Sequence, residues 1–271
     1  MTKRFLVLAV VSVLGNAQRI QLDRIEQKTI LLFSPHPDDD MFCCAGTLAL
    51  MARHRNNIHI ILYTNGDKGS LDLEMSSERL AAIRMMEEET ASKILGIPAS
   101  NIHWLEYHDG MLEYADPRDL AEEVTRIIRK FRPDVVMAPD SGTEHVRWHK
   151  TDHRMAANNT IDAIRAAEWH LYFPNQRIHE GLLPWKVPAE AYYYVAEPEQ
   201  NSWVNIDEVL DLKLAAAAAH VSQWPPSWDK YRPDWDPKVL DTMKEGLRAR
   251  QIKKDGHTVE AFRIAGGFNQ Q

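Results

Sequence analysis

An α/β fold with a doubly wound, mainly parallel sheet and helices on both of its faces is what the sequence predicts, and three observations predict it. Short apolar runs of strand length alternate with longer stretches of helical spacing, the order that builds a parallel sheet covered on both sides. The densest chemistry falls directly after the first and the fourth of the strand-like runs, where a doubly wound, Rossmann-like sheet opens its ligand crevice. No linker interrupts residues 29–271, so they read as one domain.

Each element follows from its residues. Thr29 to Ser34 is a first buried strand, and Asp40 to His54 a helix. Ile58 to Thr64, "IHIILYT", is a second strand. Ser77 to Leu95 carries Leu80, Ile83, Ile94 and Leu95 at helical spacing, and Gly96 with Pro98 stops it. Ile102 to Tyr107 is a third strand. Asp116 and Pro117 supply an N-cap and a first-turn proline for a helix that runs to Pro133. Asp134 to Ala138 is a fourth strand, and a helix covers about Asp152 to Ala167. Later come "EAYYYVA" (Glu190 to Ala196), the short "WVNI" and a helix from about Asp207 to Gln223. "WPPSWDKYRPDWDP" (Trp224 to Pro237) is either a lid of exposed indole faces or a rigid packed loop.

The start of the chain has a different character. Lys3 and Arg4 precede an apolar run from Phe5 to Leu14, then Gly15, Asn16 and Ala17. That is the layout of a secretory signal over residues 1–17, followed by an extension over 18–28. The run is too short to span a bilayer, which takes about 20 apolar residues, and no other stretch of the chain reads as a span. Export implies a secreted or periplasmic protein; without cleavage the chain reads as cytoplasmic. Of 271 residues 44% are hydrophobic and 26% charged, an ordinary globular balance. A net charge of −7 without Lys/Arg blocks argues against nucleic acid as a partner. The two cysteines, Cys43 and Cys44, are neighbours, which seldom bridge. They read as small buried hydrophobes. Composition leaves homo-oligomerisation open.

The chemistry is concentrated in "SPHPDDD" and "HVRWHKTDHR". His36 and Asp39 are three residues apart at a helix start, which brings both to one face. Imidazole and carboxylate are good zinc ligands, and His153, after the fourth strand, supplies a third. Two histidines and a carboxylate with an open position make a catalytic zinc arrangement, one Zn2+ per chain, although Fe2+ suits the same donors. A cation would also relieve the repulsion among Asp38, Asp39 and Asp40. Asp38, beside a ligand, is placed to act as general base. Taken singly, such an Asp is more often an N-cap and such a His a satisfied polar residue. It is their convergence at one crevice that points to metal.

These residues resemble the LmbE-like / PIG-L family of zinc-dependent N-deacetylases. "PHPDDD", "GTLAL", "TNGDKG", "LAAIRMMEEETASKILGI", "YHDG", "TDHRMA", "LKLAAAAAHVSQW" and the closing "EAFRI" carry the resemblance, which covers roughly Thr29 to Trp224 and that last segment. The later segments look most like the branch that includes diacetylchitobiose deacetylases. The resemblance implies His36, Asp39 and His153 as metal ligands and Asp38 as base. It implies hydrolysis of an acetamide on an N-acetylglucosamine-like sugar or conjugate. The family usually has Glu where this chain has Asp40, and His-x-Asp-His where it has "HKTDH". His149 is displaced by one residue, so either the loop bulges and His149 reaches the site, or Lys150 or His145 substitutes, or activity weakens. Asp152 orients whichever histidine serves, or caps its helix. Arg84 holds a substrate hydroxyl or phosphate, or pairs with Glu87 or Glu88 on the surface. Asp109 binds a sugar hydroxyl or shapes a turn. His220 reads as a helix-end hydrogen bond. Rival functions are an amidase for another N-acyl or thiol conjugate and a non-catalytic sugar-binding member of the same scaffold. A dinucleotide oxidoreductase is set aside, because its glycine-rich turn is replaced by "SPHPDDD".

Overall fold

The apolar runs form strands in the expected order. The computed structural model describes residues 20–142, 151–234 and 236–266. Its elements are β1 (Thr29–Ser34), α1 (Asp39–Arg53), β2 (Asn57–Thr64), α2 (Ser77–Ile94), β3 (Ile102–Tyr107), α3 (Pro117–Phe131), β4 (Val135–Pro139) and α4 (Thr151–Glu168). Then follow α5 (Pro174–Ile178), β5 (Ala189–Tyr193), β6 (Ser202–Asn205), α6 (Leu210–Ala219), α7 (Pro237–Ala249), β7 (Lys253–Lys254) and β8 (His257–Gly266). The sheet order is β3-β2-β1-β4-β5-β8-β6, with β7 paired to β8. β1 to β5 pair parallel; β8 joins antiparallel to β5 and to β6.

Strand alternation explains the two covered faces. Along β1, Ile30 and Leu32 enter one core with residues of α1 and α6, while Leu31 and Phe33 enter the other with residues of α3 and α4. β4 divides the same way, Val135 and Met137 against Val136 and Ala138. Strands buried on both faces need apolar residues at every position, which is why they read as unbroken runs. The helix starts follow local chemistry. Ser76 caps α2 by accepting from the Arg79 N–H, and Asp116 caps α3 by accepting from those of Arg118 and Asp119, with Pro117 first in the helix.

Two expectations change, and one helix is added. The single helix expected over Asp207–Gln223 is shorter. A 3-10 turn precedes α6 and another follows it, because His220 leaves the helical region at φ −78°, ψ 60°. α7 was legible but unread: Asp236 accepts from the Lys238 N–H ahead of Pro237, the same start device as in α3. Cys43 and Cys44 are bridged, with Cα atoms 3.8 Å apart. Adjacency along one peptide unit puts the two side chains within reach of each other here.

The expected leader over residues 1–17 and the loop residues His145, His149 and Lys150 lie outside the described residues. From Ile20 onward the segment ahead of β1 packs on the sheet: Ile20, Leu22 and Ile25 are buried in the core with residues of α1. Among the described residues no helix is long and apolar enough to cross a membrane.

Candidate metal centre

The turn after β1 is pinned by its neighbours. Ser34 Oγ donates to the His36 carbonyl at 2.9 Å. Thr64, at the end of β2, donates to the Pro35 carbonyl through its N–H at 3.1 Å and its Oγ1 at 2.9 Å. Asp38 closes the turn at φ +119° as N-cap of α1. An L-residue there stores strain of roughly 1–3 kcal/mol, a cost that marks functional positions.

The three adjacent aspartates find three different solutions. Asp38 turns its Oδ2 to the Arg84 guanidinium, 2.8 Å away. Asp39 turns its Oδ2 to two imidazoles, 3.0 Å from His36 Nδ1 and 3.1 Å from His153 Nε2. Asp40 points away from both, fully buried in the direction of Glu88. Burial, then the Glu88 carboxyl, raise the Asp40 pKa well above the carboxylate range and favour its neutral form. The expectation that one cation neutralises the whole run is therefore corrected. Of the three, only Asp39 joins the candidate ligand group, because successive residues entering a helix point in different directions.

The Asp40–Glu88 pair has a measurable consequence. Burial lifts Glu88 to about 7 from an ordinary 4.5. Between those values the folded chain holds a proton that the unfolded chain has lost, so stability falls as pH rises through this window and levels off above it. At about 1.4 kcal/mol per pKa unit, the Glu88 share is on the order of 3 kcal/mol. Glu88→Gln keeps an acceptor for Ser92 Oγ, which Glu88 binds at 3.1 Å, and has no charge to lose. Urea unfolding at pH 5 and pH 8 should show a loss in the parent and a loss smaller by about the Glu88 share in the variant, because Glu87, which burial also lifts to about 7, contributes to both. Equal losses would place the proton elsewhere.

His36, Asp39 and His153 are all buried, with ligand atoms within 4.8 Å of one another. Ligands on a tetrahedral ion with bonds of about 2.0–2.2 Å lie roughly 3.3–3.6 Å apart, close to the spacings here. The surroundings fit as well. His36 Nε2, the nitrogen away from Asp39, is 3.0 Å from Asp152 and 3.1 Å from Asp109. A metal-bound histidine typically gives its second N–H to a carboxylate, which fixes tautomer and ring. Burial opposes an imidazolium at His36, but hydrogen bonds to Asp109, Asp152 and Asp39 outweigh it and raise its pKa well above the usual value. Burial likewise disfavours the Asp39 carboxylate, and His153 and His36 overcome it and hold its pKa well below the usual range. The Tyr194 hydroxyl donates to Asp39 Oδ1 at 3.0 Å, and its ring stacks on His153 at 5.6 Å between centroids. These residues fit a divalent ion by donor type, spacing and support.

Several sequence expectations shift in place. Arg84 is neither a surface partner of Glu87 and Glu88 nor turned toward solvent. It is buried, donating to the Gly66 carbonyl at 3.2 Å and to Pro37 O as well as to Asp38. Gly66 (φ +65°) makes room for it, since a Cβ there would lie 2.6 Å from Arg84 Nη1. Asp152 does not cap its own helix. Its carboxylate accepts from the Gly110 and Leu112 N–H groups at 2.6 and 3.1 Å and faces His36, so it braces the loop after β3 against the metal group. Asp109 is likewise directed at His36. His220 is fully buried with Nε2 3.7 Å from Glu88, and burial lowers its pKa to about 3. The Trp224–Pro237 segment is tied down, Leu71 N–H donating to the Trp228 carbonyl at 2.9 Å and Tyr231 N–H to Asp72 at 3.1 Å. Sequence reasoning missed Tyr194, which sits in an aromatic run that reads as strand core. It also missed the Asp40–Glu88 contact, which no spacing signals.

Asp38, Asp39, His153 and Tyr194 open onto one cavity of about 950 Å3. Such a centre at the carboxyl edge of a doubly wound sheet defines a class, the metal-dependent hydrolases of Rossmann-like architecture. The family model described as PIG-L, GlcNAc-PI de-N-acetylase, matches residues 31–164. A diacetylchitobiose deacetylase of Thermococcus kodakarensis is 33% identical over 207 residues, 76% of this chain and 74% of that protein. The chain belongs to the PIG-L (LmbE-like) family. A protein named as a probable N-acetyl-alpha-D-glucosaminyl L-malate deacetylase 2, from Bacillus anthracis, is 26% identical over 80% of this chain and 91% of its own. The N,N'-diacetylchitobiose deacetylase from Pyrococcus horikoshii, solved with its inhibitor MPG, superposes with a TM-score of 0.72 at 30% identity, covering 92% of this chain and 90% of that one.

Proposed function

We propose that this chain is a zinc-dependent N-deacetylase that hydrolyses the acetamide of an N-acetylglucosamine-type sugar or sugar conjugate to acetate and a free amine. The observation that carries the reading is the buried His36–Asp39–His153 group opening, beside Asp38, onto a cavity. The names of the relatives support the substrate class, since the chitobiose and glucosaminyl-malate compounds share an N-acetylated glucosamine unit. His36, Asp39 and His153 would hold the ion, and a bound Zn2+ would supply Lewis-acid polarisation of the acetamide and lower the pKa of water. The chain's own residues do the rest. Asp38 takes a proton from the attacking water and returns it to the nitrogen as the C–N bond breaks, so one carboxylate serves both halves of the reaction. Arg84 donates to Asp38 Oδ2 at 2.8 Å and holds that carboxylate in place. Asp152 and Asp109 keep His36 oriented. Fe2+ suits the same ligands. The basic, apolar start of the chain supports a secreted or periplasmic setting.

The test is acetate release from N-acetylglucosamine glycosides and diacetylchitobiose by protein stripped with a chelator and reloaded with Zn2+ or, anaerobically, Fe2+. Activity should vanish on stripping and return with metal. No acetate from any substrate in the loaded protein would overturn the proposal.

A further inference from the structure

The cavity at the metal centre, at about 950 Å3, lies near the top of the roughly 300–1,000 Å3 range of small-molecule sites. A single amino-sugar ring leaves much of it unfilled. The remainder is walled by one face of α7. Residues 239, 242, 243, 246, 247 and 250 line it, the three- and four-residue spacing that keeps to one side of a helix. That face extends about 16 Å along the axis.

The character of this arm is apolar on both walls. Val239, Met243 and Leu247 contribute from α7, and Phe42, Trp224 and Trp228 from the facing segments. Val239 is 39% exposed and Trp228 43%, so apolar surface on two walls of one cavity is left to water. Trp224 is held edge-on to Phe42, with centroids 5.4 Å apart, and its indole N–H is already given to the Ala217 carbonyl at 3.1 Å. The polar side chains along this arm are Lys238 and Thr242 of α7, Arg250 at its C-cap, and Gln223. A second saccharide would set hydroxyls against these apolar walls, whereas an alkyl chain would take the walls out of water.

We propose that this arm binds an apolar aglycone, so that the preferred substrate is an N-acetylated amino sugar linked to an alkyl chain rather than a bare sugar or a chitin fragment. The proposal rests on the N-deacetylase reading and adds the identity of what is joined to the sugar. It requires the arm and the metal centre to be one continuous cavity, as they are.

The experiment compares kcat/KM for acetate release from the methyl and octyl glycosides of N-acetylglucosamine, the latter below its micellar concentration, and from diacetylchitobiose. The octyl glycoside should exceed the methyl glycoside by about ten-fold or more, the effect of burying roughly two methylenes, mainly through KM, and should also exceed diacetylchitobiose. Met243→Asp should cut the octyl-over-methyl ratio by about five-fold or more, and Met243→Leu should preserve it. A ratio near one, or a preference for diacetylchitobiose, overturns the proposal and leaves the deacetylase reading standing. If none of the three releases acetate, the deacetylase reading fails, and tryptophan fluorescence with octyl glucoside, which has no acetamide, still decides the arm. Saturable quenching that weakens in Met243→Asp supports it, and no saturable binding overturns it.

Discussion

Asp39→Asn should purify without stoichiometric metal. Asp39 does more than supply one ligand atom. Its Oδ2 faces both His36 Nδ1 and His153 Nε2 and accepts from the His36 N–H at 3.2 Å. Its Oδ1 accepts from Tyr194 at 3.0 Å. An amide keeps the shape but removes the charge that offsets a divalent ion, and it can present an N–H to the site where a lone pair is needed. Losing only an outer partner of a metal ligand costs roughly 10–100-fold in affinity or activity, so losing the ligand itself should cost more. Metal analysis after dialysis should find well under one ion per chain, and acetate release should fall with it. A fully loaded Asp39→Asn protein would remove Asp39 from the ligand set and break the account of the site.

Asp38→Asn should show the opposite split: metal retained, turnover lost. The side chain at 38 lines the same cavity and meets Arg84, but it is not one of the three grouped ligand residues. Asparagine tolerates positive φ better than most residues, so the turn at φ +119° should persist. What disappears is the basic carboxylate, and a positioned general acid–base contributes about 10²–10⁴-fold. The expected result is one ion per chain, an unchanged circular dichroism spectrum and kcat lower by that factor. Turnover within a few-fold of the parent would take the proton-transfer role from Asp38 and leave it as a structural cap.

These two variants divide a motif whose members look alike in sequence. The grouping of His36, Asp39 and His153 was legible because residue type and topology cooperate. His36 and Asp39 share a helix face, and His153 follows the strand that pairs with β1, so both carriers end at the same edge of the sheet. The helix α7 was legible too, from Asp236–Pro237 and its apolar spacing. The partners of the aspartates were not. Arg84 lies on α2, far from Asp38 in sequence and open to several roles there, and only its burial beside Gly66 assigns it to Asp38. Tyr194 was hidden in "YYYV", where alternation explains an aromatic without any polar role. The histidine expected from "HKTDH" falls in 143–150, outside the described residues.

What the chain by itself determined is what depends on short range: strand and helix periods, capped starts, and the crevice to which two loops are delivered. Those are set by backbone geometry over a few residues and by the rule that parallel strands bury both faces. What only the folded structure decided is the partner of each acidic group: a guanidinium for Asp38, two imidazoles for Asp39, the Glu88 carboxyl for Asp40. Ionisation answers to burial and to neighbours through space, and crossovers through helices bring those neighbours from distant parts of the chain.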